Sequence, residues 1–329
     1  MRLEKIALRI HEHLKPQHMK PKTLYTYTLI LASFFTLALF TSYSEKNDTP
    51  PKMPPTETGS DALPQLIHGI NLKQPFNFAG EGLPMTNFDV RERLDRELSV
   101  NSYWHSSTLL NIKASTRYFP AMEKILKENE VPDDFKYLAV AESSLRNVKS
   151  PAGAKGIWQF MKNTATHYGL EVNSEVDERY HVEKATEAAC KYLKSYKEQF
   201  GNWTLSAAAY NMGGPNLKKE LSAQGSDSYY DLNLNHETNR YVFRIVAIKE
   251  IIKRPQNFGF YLENEDMYQP LDDYKTVEIN SAIPSLANFA KEQGISYRML
   301  KIYNPWLRSS KLTNSKGKTY QIKIPNKKF

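Results

Sequence analysis

Residues 139–145 of the chain, AVAESSL, place a glutamate, Glu142, within an apolar helical pattern. Counted along a helix from this glutamate, Phe135, Leu138 and Leu145 share its face, because residues three, four and seven apart lie on one side of a helix. Glutamate is seldom buried without a structural or functional reason. The stretch therefore predicts a buried helix and makes Glu142 a candidate functional residue.

The beginning of this helix bears on the pKa of Glu142. Pro132 and the pair Asp133-Asp134 are helix-start signals, since carboxylates favour the exposed N–H groups of a helix N-terminus. Glu142 then lies in the third turn, near the C-terminal end, where the helix dipole disfavours an anion. Burial acts in the same direction, so we expect a raised pKa. The alternative is a carboxylate that extends into solvent from the helix end.

A second motif, GIWQF at residues 156–160, follows the small-residue loop SPAGAKG, whose backbone can approach a ligand closely. Gln159 offers a donor and an acceptor, and Trp158 offers an apolar face, a combination that sugar rings meet in clefts. The alternative is a turn with a core tryptophan.

A third motif, AAAYNMGG at residues 207–214, places Tyr210 and Asn211 where a helix ends on paired glycines. Two polar side chains are thereby presented at a helix terminus. The structural alternative is an ordinary Asn-Gly helix end.

The organisation of the chain follows from its periodicity. Helical patterns fill most of residues 71–262, with breaks at Pro, Gly and Asn,. The predicted helices cover residues 88–110, 111–129, 133–146, 162–168, 181–199, 204–222 and 236–253. After a linker at 263–273, strand-like YKTVEI (274–279) and TYQIKIP (319–325) flank two short helical patterns,. We predict a mainly α protein with a small βααβ domain at 274–326.

The N-terminal region has the pattern of a membrane anchor. Residues 23–43 contain no charge and are long enough to span a bilayer. Residues 1–22 are rich in Lys and Arg, which predicts a cytoplasmic tail, and the polar residues 44–70 predict a flexible linker. We expect an inner-membrane anchor with the remainder in the periplasm. A cleaved signal sequence, giving a periplasmic or secreted protein, is the alternative, although no small-x-small cleavage site follows the apolar run.

The composition of the chain limits the classes of partner and cofactor that it can bind. The net charge of +8 and the pI of 9.2 favour anionic neighbours such as cell-wall polymer or a membrane surface. No basic stripe with interleaved aromatics stands out, so we predict no nucleic-acid partner. The single cysteine, Cys190, cannot form a disulfide within the chain and is expected in the core. The eight histidines are scattered, and we predict no metal and no cofactor. The sequence makes no prediction of oligomeric state.

Taken together, the motifs resemble a known family. AESSL, AGAKGIWQFMKNTATHYGL, VDERYHVEKATEAACKYL, LSAAAYNMGG and TNRYVFRIVAIKEI are similar, in order and spacing, to the catalytic domain of family 1 lytic transglycosylases, particularly the membrane-bound D subgroup. The resemblance covers about residues 75–255. It implies a goose-lysozyme-like (SLT) helical fold and cleavage of the MurNAc-β-1,4-GlcNAc bond of peptidoglycan without water, leaving 1,6-anhydro-MurNAc ends.

The resemblance also implies roles for individual residues. Glu142 is the implied catalytic acid and base, and Ser143 supports the site beside it. The residues implied to line the saccharide groove are Gln159, Tyr210, Asn211 and Tyr241. The family pattern often has a proline after the tyrosine-valine pair, whereas this chain has RYVFRI. That departure concerns the shape of the helix near Tyr241.

Glu142 is the single carboxyl group whose position in the sequence suits cleavage of a glycosidic bond. Ordinary glycosidases need two carboxylates, but Asp133 and Asp134 have the positions of helix-start residues, and Asp177 and Glu178 those of partners for Arg179. A single group that is first acid and then base works best with a pKa near the ambient pH. A hydrolytic muramidase and a non-catalytic peptidoglycan-binding scaffold are the alternatives.

The C-terminal region resembles a second family. SLANFAKEQGIS, LKIYNP and the closing IP, within residues 274–325, are similar to a LysM module, which binds N-acetylglucosamine-containing glycans between its loops and helices. The usual Gly-Asp-Thr before the first helix is replaced by NSAIP at 280–284, and the approach to the last strand is longer. A degenerate module that keeps only the fold is the alternative to glycan binding.

Overall fold

The computed structural model describes residues 69–326. The predicted cytoplasmic tail and anchor, and all but the last two residues of the predicted linker, lie outside this range. Within it, no helix combines the length and the apolar character that a membrane crossing requires.

Eight helices follow a short hairpin in the first part of the described chain. The hairpin strands are β1 (Asn77–Phe78) and β2 (Glu81–Gly82). The helices are α1 (Phe88–Tyr103), α2 (His105–Glu128), α3 (Phe135–Ser143), α4 (Lys162–His167), α5 (Val182–Phe200), α6 (Trp203–Met212), α7 (Gly214–Gln224) and α8 (His236–Lys253). The predicted mainly α architecture is confirmed.

Helix α8 lies at the centre of this part. It packs against α1, α3 and α6, and its middle is buried on nearly every side, including Val242, Phe243 and Val246. Helices that are apolar on most faces occur inside a core. The Asn235 side chain accepts hydrogen bonds from two first-turn amides and so defines where the helix begins.

Three predicted helices have different ends in the structure. The helix predicted over 133–146 ends at Ser143, because Ser144 and Leu145 adopt left-handed conformations. The helix predicted over 88–110 ends at Tyr103, because Trp104, with ψ of 58°, leaves the helical conformation, and α2 begins directly after it at His105. The predicted helix over 204–222 is two helices separated at Gly213, whose φ of +86° is accessible at low cost only to glycine.

The C-terminal part has the predicted βααβ order. Strand β3 (Tyr274–Ile279) pairs antiparallel with β4 (Tyr320–Pro325). Between them lie α9 (Leu286–Glu292) and α10 (Tyr297–Tyr303). On β4, Tyr320, Ile322 and Ile324 are buried, which confirms the alternation seen in the sequence.

Candidate active site

Glu142 lies one residue before the end of α3. The helix stops because Ser144 and Leu145 adopt left-handed conformations, with φ of +52° and +55°. Phe135 and Leu138 on the same face are fully buried, whereas Glu142 is partly exposed. The carboxyl group therefore stands at the C-terminal end of the helix, between the core and the surface.

The hydrogen-bond partner of Glu142 is Tyr241 on α8. The Tyr241 hydroxyl donates to Oε1 of Glu142, and its ring is buried. Within residues 69–326, Oε2 of the same carboxyl group accepts no hydrogen bond. One carboxyl oxygen is thus fixed by a neutral phenol, and the other is available to a ligand.

Burial raises the pKa of Glu142 to about 7, because loss of water disfavours the charged form. The hydrogen bond from Tyr241 lowers the pKa, the charge of Glu237 raises it, and that of Arg244 lowers it. Arg244 and Glu237 pair with each other at 2.8 Å, so their effects oppose one another. The carboxyl group is accordingly poised near neutral pH.

Ser143 joins α3 to the next motif. Its buried hydroxyl donates to the carbonyl of Ile157 at 2.8 Å and to that of Ala139 at 3.2 Å. The hydroxyl is therefore occupied by backbone. Its structural effect is to hold the end of α3 against residues 153–160, named here the Gln159 loop.

Gln159 is partly exposed and has a left-handed backbone, with φ of +50°. Its Nε2 donates to the carbonyl of Gly156 at 2.7 Å and to that of Val148 at 3.3 Å. The loop is tightly packed, since a Cβ at Gly156 would lie 1.8 Å from the carbonyl oxygen of Arg179. The nitrogen of the side-chain amide therefore supports the loop.

The prediction that Trp158 offers its apolar face to a sugar is wrong. Trp158 is fully buried, and its Nε1 donates to Thr186 at 2.9 Å. An indole ring that is apolar except for one N–H gains most from burial when that donor is paired. The core alternative therefore holds, and the residue serves the site through its backbone, because its carbonyl accepts the Tyr210 hydroxyl at 2.6 Å.

Tyr210 and Asn211 lie side by side at the end of α6. Tyr210 packs edge-on against Phe160, and burial, together with the charge of Glu142, raises its pKa well above the usual range. Asn211 accepts a hydrogen bond from Thr238 at 2.8 Å and borders an open, polar cleft of about 420 Å³ that Glu237 also lines. Contacts with neighbouring elements fix both side chains: Tyr210 bonds the Trp158 carbonyl, and Asn211 bonds Thr238 of α8. Binding grooves are usually preformed in this way.

Sequence reasoning missed the charged groups around Tyr241. Glu237, Arg240 and Arg244 occupy α8 three to seven residues apart, and Arg240 pairs with the buried Glu97 of α1 at 2.5 Å. The signal in the sequence is the spacing of these charges, which places them near one face of α8. Of these, Glu237 raises the pKa of Glu142 and Arg244 lowers it.

Asp134 also differs from the prediction. Its carboxylate does not cap α3. It pairs with Lys249 of α8 at 2.6 Å and accepts the amide of Ala79 at 2.8 Å. A long-range cation and amide thus take the place of the predicted helix-start contacts, because Asp134 is buried between the hairpin and α8.

The remaining acidic motif is structural. Asp177 makes the predicted pair with Arg179, through two contacts of 2.9 and 2.8 Å. Glu178 departs from the prediction, since it pairs with Lys184 and accepts the amide of Glu171. Within the described residues, no group of three or more His, Cys, Asp and Glu side chains could hold a metal ion.

Comparisons with known proteins agree with these features. The family model "Transglycosylase SLT domain" matches residues 111–233, and "Soluble lytic transglycosylase C-terminal LysM-like domain" matches residues 275–328. The chain is 30% identical to "Membrane-bound lytic murein transglycosylase D" of Escherichia coli (strain K12) over 259 residues, which are 76% of this chain and 55% of that protein. It thus spans about half the length of this relative.

Two further similarities are shorter. The chain is 31% identical to "Soluble lytic murein transglycosylase" of the same strain over 103 residues, 29% of this chain and 16% of that protein. Its structure is similar to the crystal structure of the 70 kDa soluble lytic transglycosylase of Escherichia coli, with 20% identity and a TM-score of 0.37 over 54% of this chain and 33% of that one. The family resemblance predicted from the sequence is confirmed by the two family models and the first relative.

Proposed function

We propose that this chain, which belongs to the SLT-domain lytic transglycosylases with a LysM-like C-terminal domain, is a peptidoglycan lyase. It cleaves the MurNAc-β-1,4-GlcNAc bond without water and leaves 1,6-anhydro-MurNAc ends. The observation that carries this proposal is the carboxyl group of Glu142, which is partly exposed, has a pKa raised to about 7 and is bound through one oxygen to a neutral phenol.

In the first step, protonated Glu142 donates its proton to the glycosidic oxygen. Because the Tyr241 hydroxyl engages Oε1, Oε2 is the oxygen that carries the proton. The bond between C1 of MurNAc and the glycosidic oxygen breaks, and GlcNAc leaves with its new hydroxyl. The acetamido group of the MurNAc stabilises the positive charge that develops on the sugar.

In the second step, ionised Glu142 accepts the proton of the MurNAc C6 hydroxyl. The C6 oxygen attacks C1 and closes the 1,6-anhydro ring, and Glu142 is protonated again. A group that gives and then takes a proton at one pH works best when its pKa lies near that pH. Tyr241 favours the ionised form by donating a hydrogen bond to it,.

We assign roles to the residues around Glu142 from their contacts and their exposure. Ser143 holds the Gln159 loop against the end of α3. We assign Gln159, Tyr210 and Asn211 to saccharide binding, together with Tyr241, because each is partly exposed or lies against Glu142. Their other hydrogen bonds fix their orientations before the substrate arrives, which reduces the entropy lost on binding.

A hydrolytic muramidase is the second candidate, and Glu237 favours it. Hydrolysis needs a second carboxylate to activate water, and the charge of Glu237 is close enough to raise the pKa of Glu142. Against this, Glu237 is engaged by Arg244, which lowers its pKa and with it its strength as a base. We therefore favour the lyase.

We place the catalytic domain in the periplasm, anchored to the inner membrane. The apolar, charge-free residues 23–43 and the basic tail before them support this location,. The name of the relative that is 30% identical, a membrane-bound enzyme, agrees with it.

Product analysis tests the proposed function. Purified sacculi incubated with the full-length protein should release muropeptides with anhydro ends, which mass spectrometry distinguishes from reducing ends by the mass of one water. Reducing ends would establish the muramidase instead. No release of fragments would establish a non-catalytic scaffold.

A further inference from the structure

A segment between α4 and α5, residues 171–180, contacts two parts of the protein at once. We name it the strut. On one side it binds the C-terminal βααβ part, and on the other it binds the Gln159 loop. Its own conformation is fixed by the buried Asp177–Arg179 pair.

The contacts with the C-terminal part begin with the backbone. The amide of Asp177 donates to the carbonyl of Trp306 at 2.9 Å, and the amide of Arg308 donates to the carbonyl of Glu175 at 2.7 Å. The Glu175 carboxylate also accepts the amide of Thr313 at 2.6 Å. The loop that follows α10 is thereby paired with the strut.

Side chains extend this interface. Val176 and Tyr180 of the strut belong to the hydrophobic core of the C-terminal part. Glu171 accepts hydrogen bonds from Lys318 at 2.9 Å and from Tyr320 at 3.1 Å. A shared core with surrounding hydrogen bonds fixes two parts relative to each other more firmly than a flexible linker does.

The contacts with the Gln159 loop come from Asp177 and Arg179 of the strut. Arg179 donates to the carbonyl of Phe160 at 3.2 Å, and its own carbonyl oxygen packs against Gly156, 1.8 Å from the position that a Cβ there would take. Lys155 lies 3.6 Å from the Asp177 carboxylate. Asp177 and Arg179 therefore bind the loop through their side chains, while Asp177 binds the C-terminal part through its amide.

The Gln159 loop needs such support. A left-handed backbone at a residue other than glycine, as at Gln159, is unfavourable and persists only where the surroundings enforce it. We infer that Arg179 is a positioning residue for Gln159, and that the LysM-like C-terminal domain acts as a brace that holds the strut, and so the Gln159 loop, in its binding conformation. The inference rests on the proposed function only for its effect on substrate binding.

The brace differs from a tethered glycan-binding module in what it predicts. The loop after α10 is engaged with the strut through Trp306, Arg308 and Thr313 and is thereby used for docking. A brace affects the cleavage of every substrate, including one too short to reach the C-terminal domain. An independent glycan-binding module affects long glycan strands alone.

The experiment uses three variants of the full-length protein. Arg179→Lys breaks the link between strut and loop, and Glu171→Ala/Glu175→Ala breaks links between strut and C-terminal domain without touching the core of that domain. Trp104→Ala is the control, because this tryptophan is 62% exposed and lies outside the strut, the loop and the C-terminal part.

Hydrogen exchange is the first readout. The amides of Lys155, Gly156 and Phe160 are hydrogen-bonded within or beside the loop, so we expect them to exchange about tenfold faster in both test variants than in the wild type or in Trp104→Ala. Exchange that stays at the wild-type rate in both test variants would overturn the brace. This readout needs no turnover and therefore stands even if the proposed function fails.

Kinetics on a soluble peptidoglycan tetrasaccharide are the second readout. Both test variants should raise KM about three- to tenfold and leave the pH dependence of kcat unchanged, since Glu142 stays on α3. A KM defect confined to long glycan strands would overturn the brace in favour of an independent glycan-binding module. Faster exchange with an unchanged KM would show that the loop does not position the substrate.

Discussion

Helix α3 carries a carboxyl group at each end, and α8 meets the two in opposite ways. At the N-terminal end, Asp134 pairs with Lys249 at 2.6 Å and accepts the amide of Ala79 at 2.8 Å. At the C-terminal end, Glu142 receives one hydrogen bond, from the phenol of Tyr241. The helix dipole favours an anion at the first end and disfavours it at the second.

The difference separates a structural carboxylate from a chemical one. A buried carboxylate that meets a cation and an amide is held as half of an ion pair, and its removal leaves a buried cation without a counter-charge. A partly exposed carboxyl group that has lost much of its water and is bonded to a neutral phenol is left close to its protonation midpoint near neutral pH. The first arrangement fixes α3 against α8, and the second allows proton transfer.

The largest expected effect is on catalysis at Glu142. Glu142→Gln should keep the fold and lower turnover of purified sacculi by at least about a thousandfold, because the amide cannot transfer a proton. Asp133→Asn, at the exposed start of the same helix, is the control and should retain full activity. Residual activity of Glu142→Gln within about tenfold of the wild type would contradict the assignment.

The next effect is on stability at Asp134. Asp134→Ala should lower the free energy of unfolding by about 3–5 kcal/mol, because Lys249 stays buried without its carboxylate. Asp133→Ala should cost about 1 kcal/mol or less, since Lys136 keeps Glu123 as a partner. Denaturant titration measures both. A loss below about 1 kcal/mol for Asp134→Ala would remove the contrast between the two ends.

A smaller effect concerns the pH dependence of stability. The pKa of Glu142 is raised from its usual 4.5 to about 7 in the folded protein, so the stabilisation from its protonated form is complete below about pH 4.5 and is lost as the pH rises through about 7. Glu142→Gln lacks this loss. The variant should equal the wild type near pH 4 and exceed it by about 3 kcal/mol near pH 8.

Thermal or chemical unfolding of both proteins at these two pH values measures the difference. Equal stability near pH 8 would show that the carboxyl group is not strained by burial.

The smallest expected effect is at Tyr241. Tyr241→Phe removes the hydrogen bond that favours ionised Glu142, so the pKa of Glu142 should rise further and the alkaline limb of the kcat profile should move to higher pH. We expect a loss in kcat of about tenfold. Tyr210→Phe, which loses the bond to the Trp158 carbonyl, should lower the rate without moving that limb. An unmoved limb in Tyr241→Phe would contradict the role of the phenol.

The contrast within α3 could be predicted from the sequence only in part. The apolar stripe around Glu142 and the alternation of β4 follow from local periodicity. Pro132 and the acidic pair after it indicate a helix start close to the observed one at Phe135,. The partners of the two carboxyl groups, Lys249 and Tyr241, lie about a hundred residues away along the chain. Periodicity carries no information at that distance, so the sequence predicts only local helix-start contacts for Asp134.

Contacts between residues distant in the sequence also explain two other features that the sequence does not predict. The apolar face of Trp158 is typical of a sugar-binding residue. Its ring is nevertheless in the core, where its indole N–H donates to Thr186, 28 residues later. The strut that joins the Gln159 loop to the C-terminal part depends on contacts between three separate segments. Such contacts depend on how the elements pack, which the pattern of a single segment does not specify.

The pKa of Glu142 in the folded protein is the most direct test. Glutamate labelled with ¹³C at the side-chain carboxyl group can be followed by NMR across the pH range, and the resonance missing from Glu142→Gln identifies the residue. A titration midpoint near 7 is the result we predict. A midpoint near the usual 4.5 would contradict the claim that loss of water, with only a neutral phenol bonded to the group, prepares this carboxyl group to act as both acid and base.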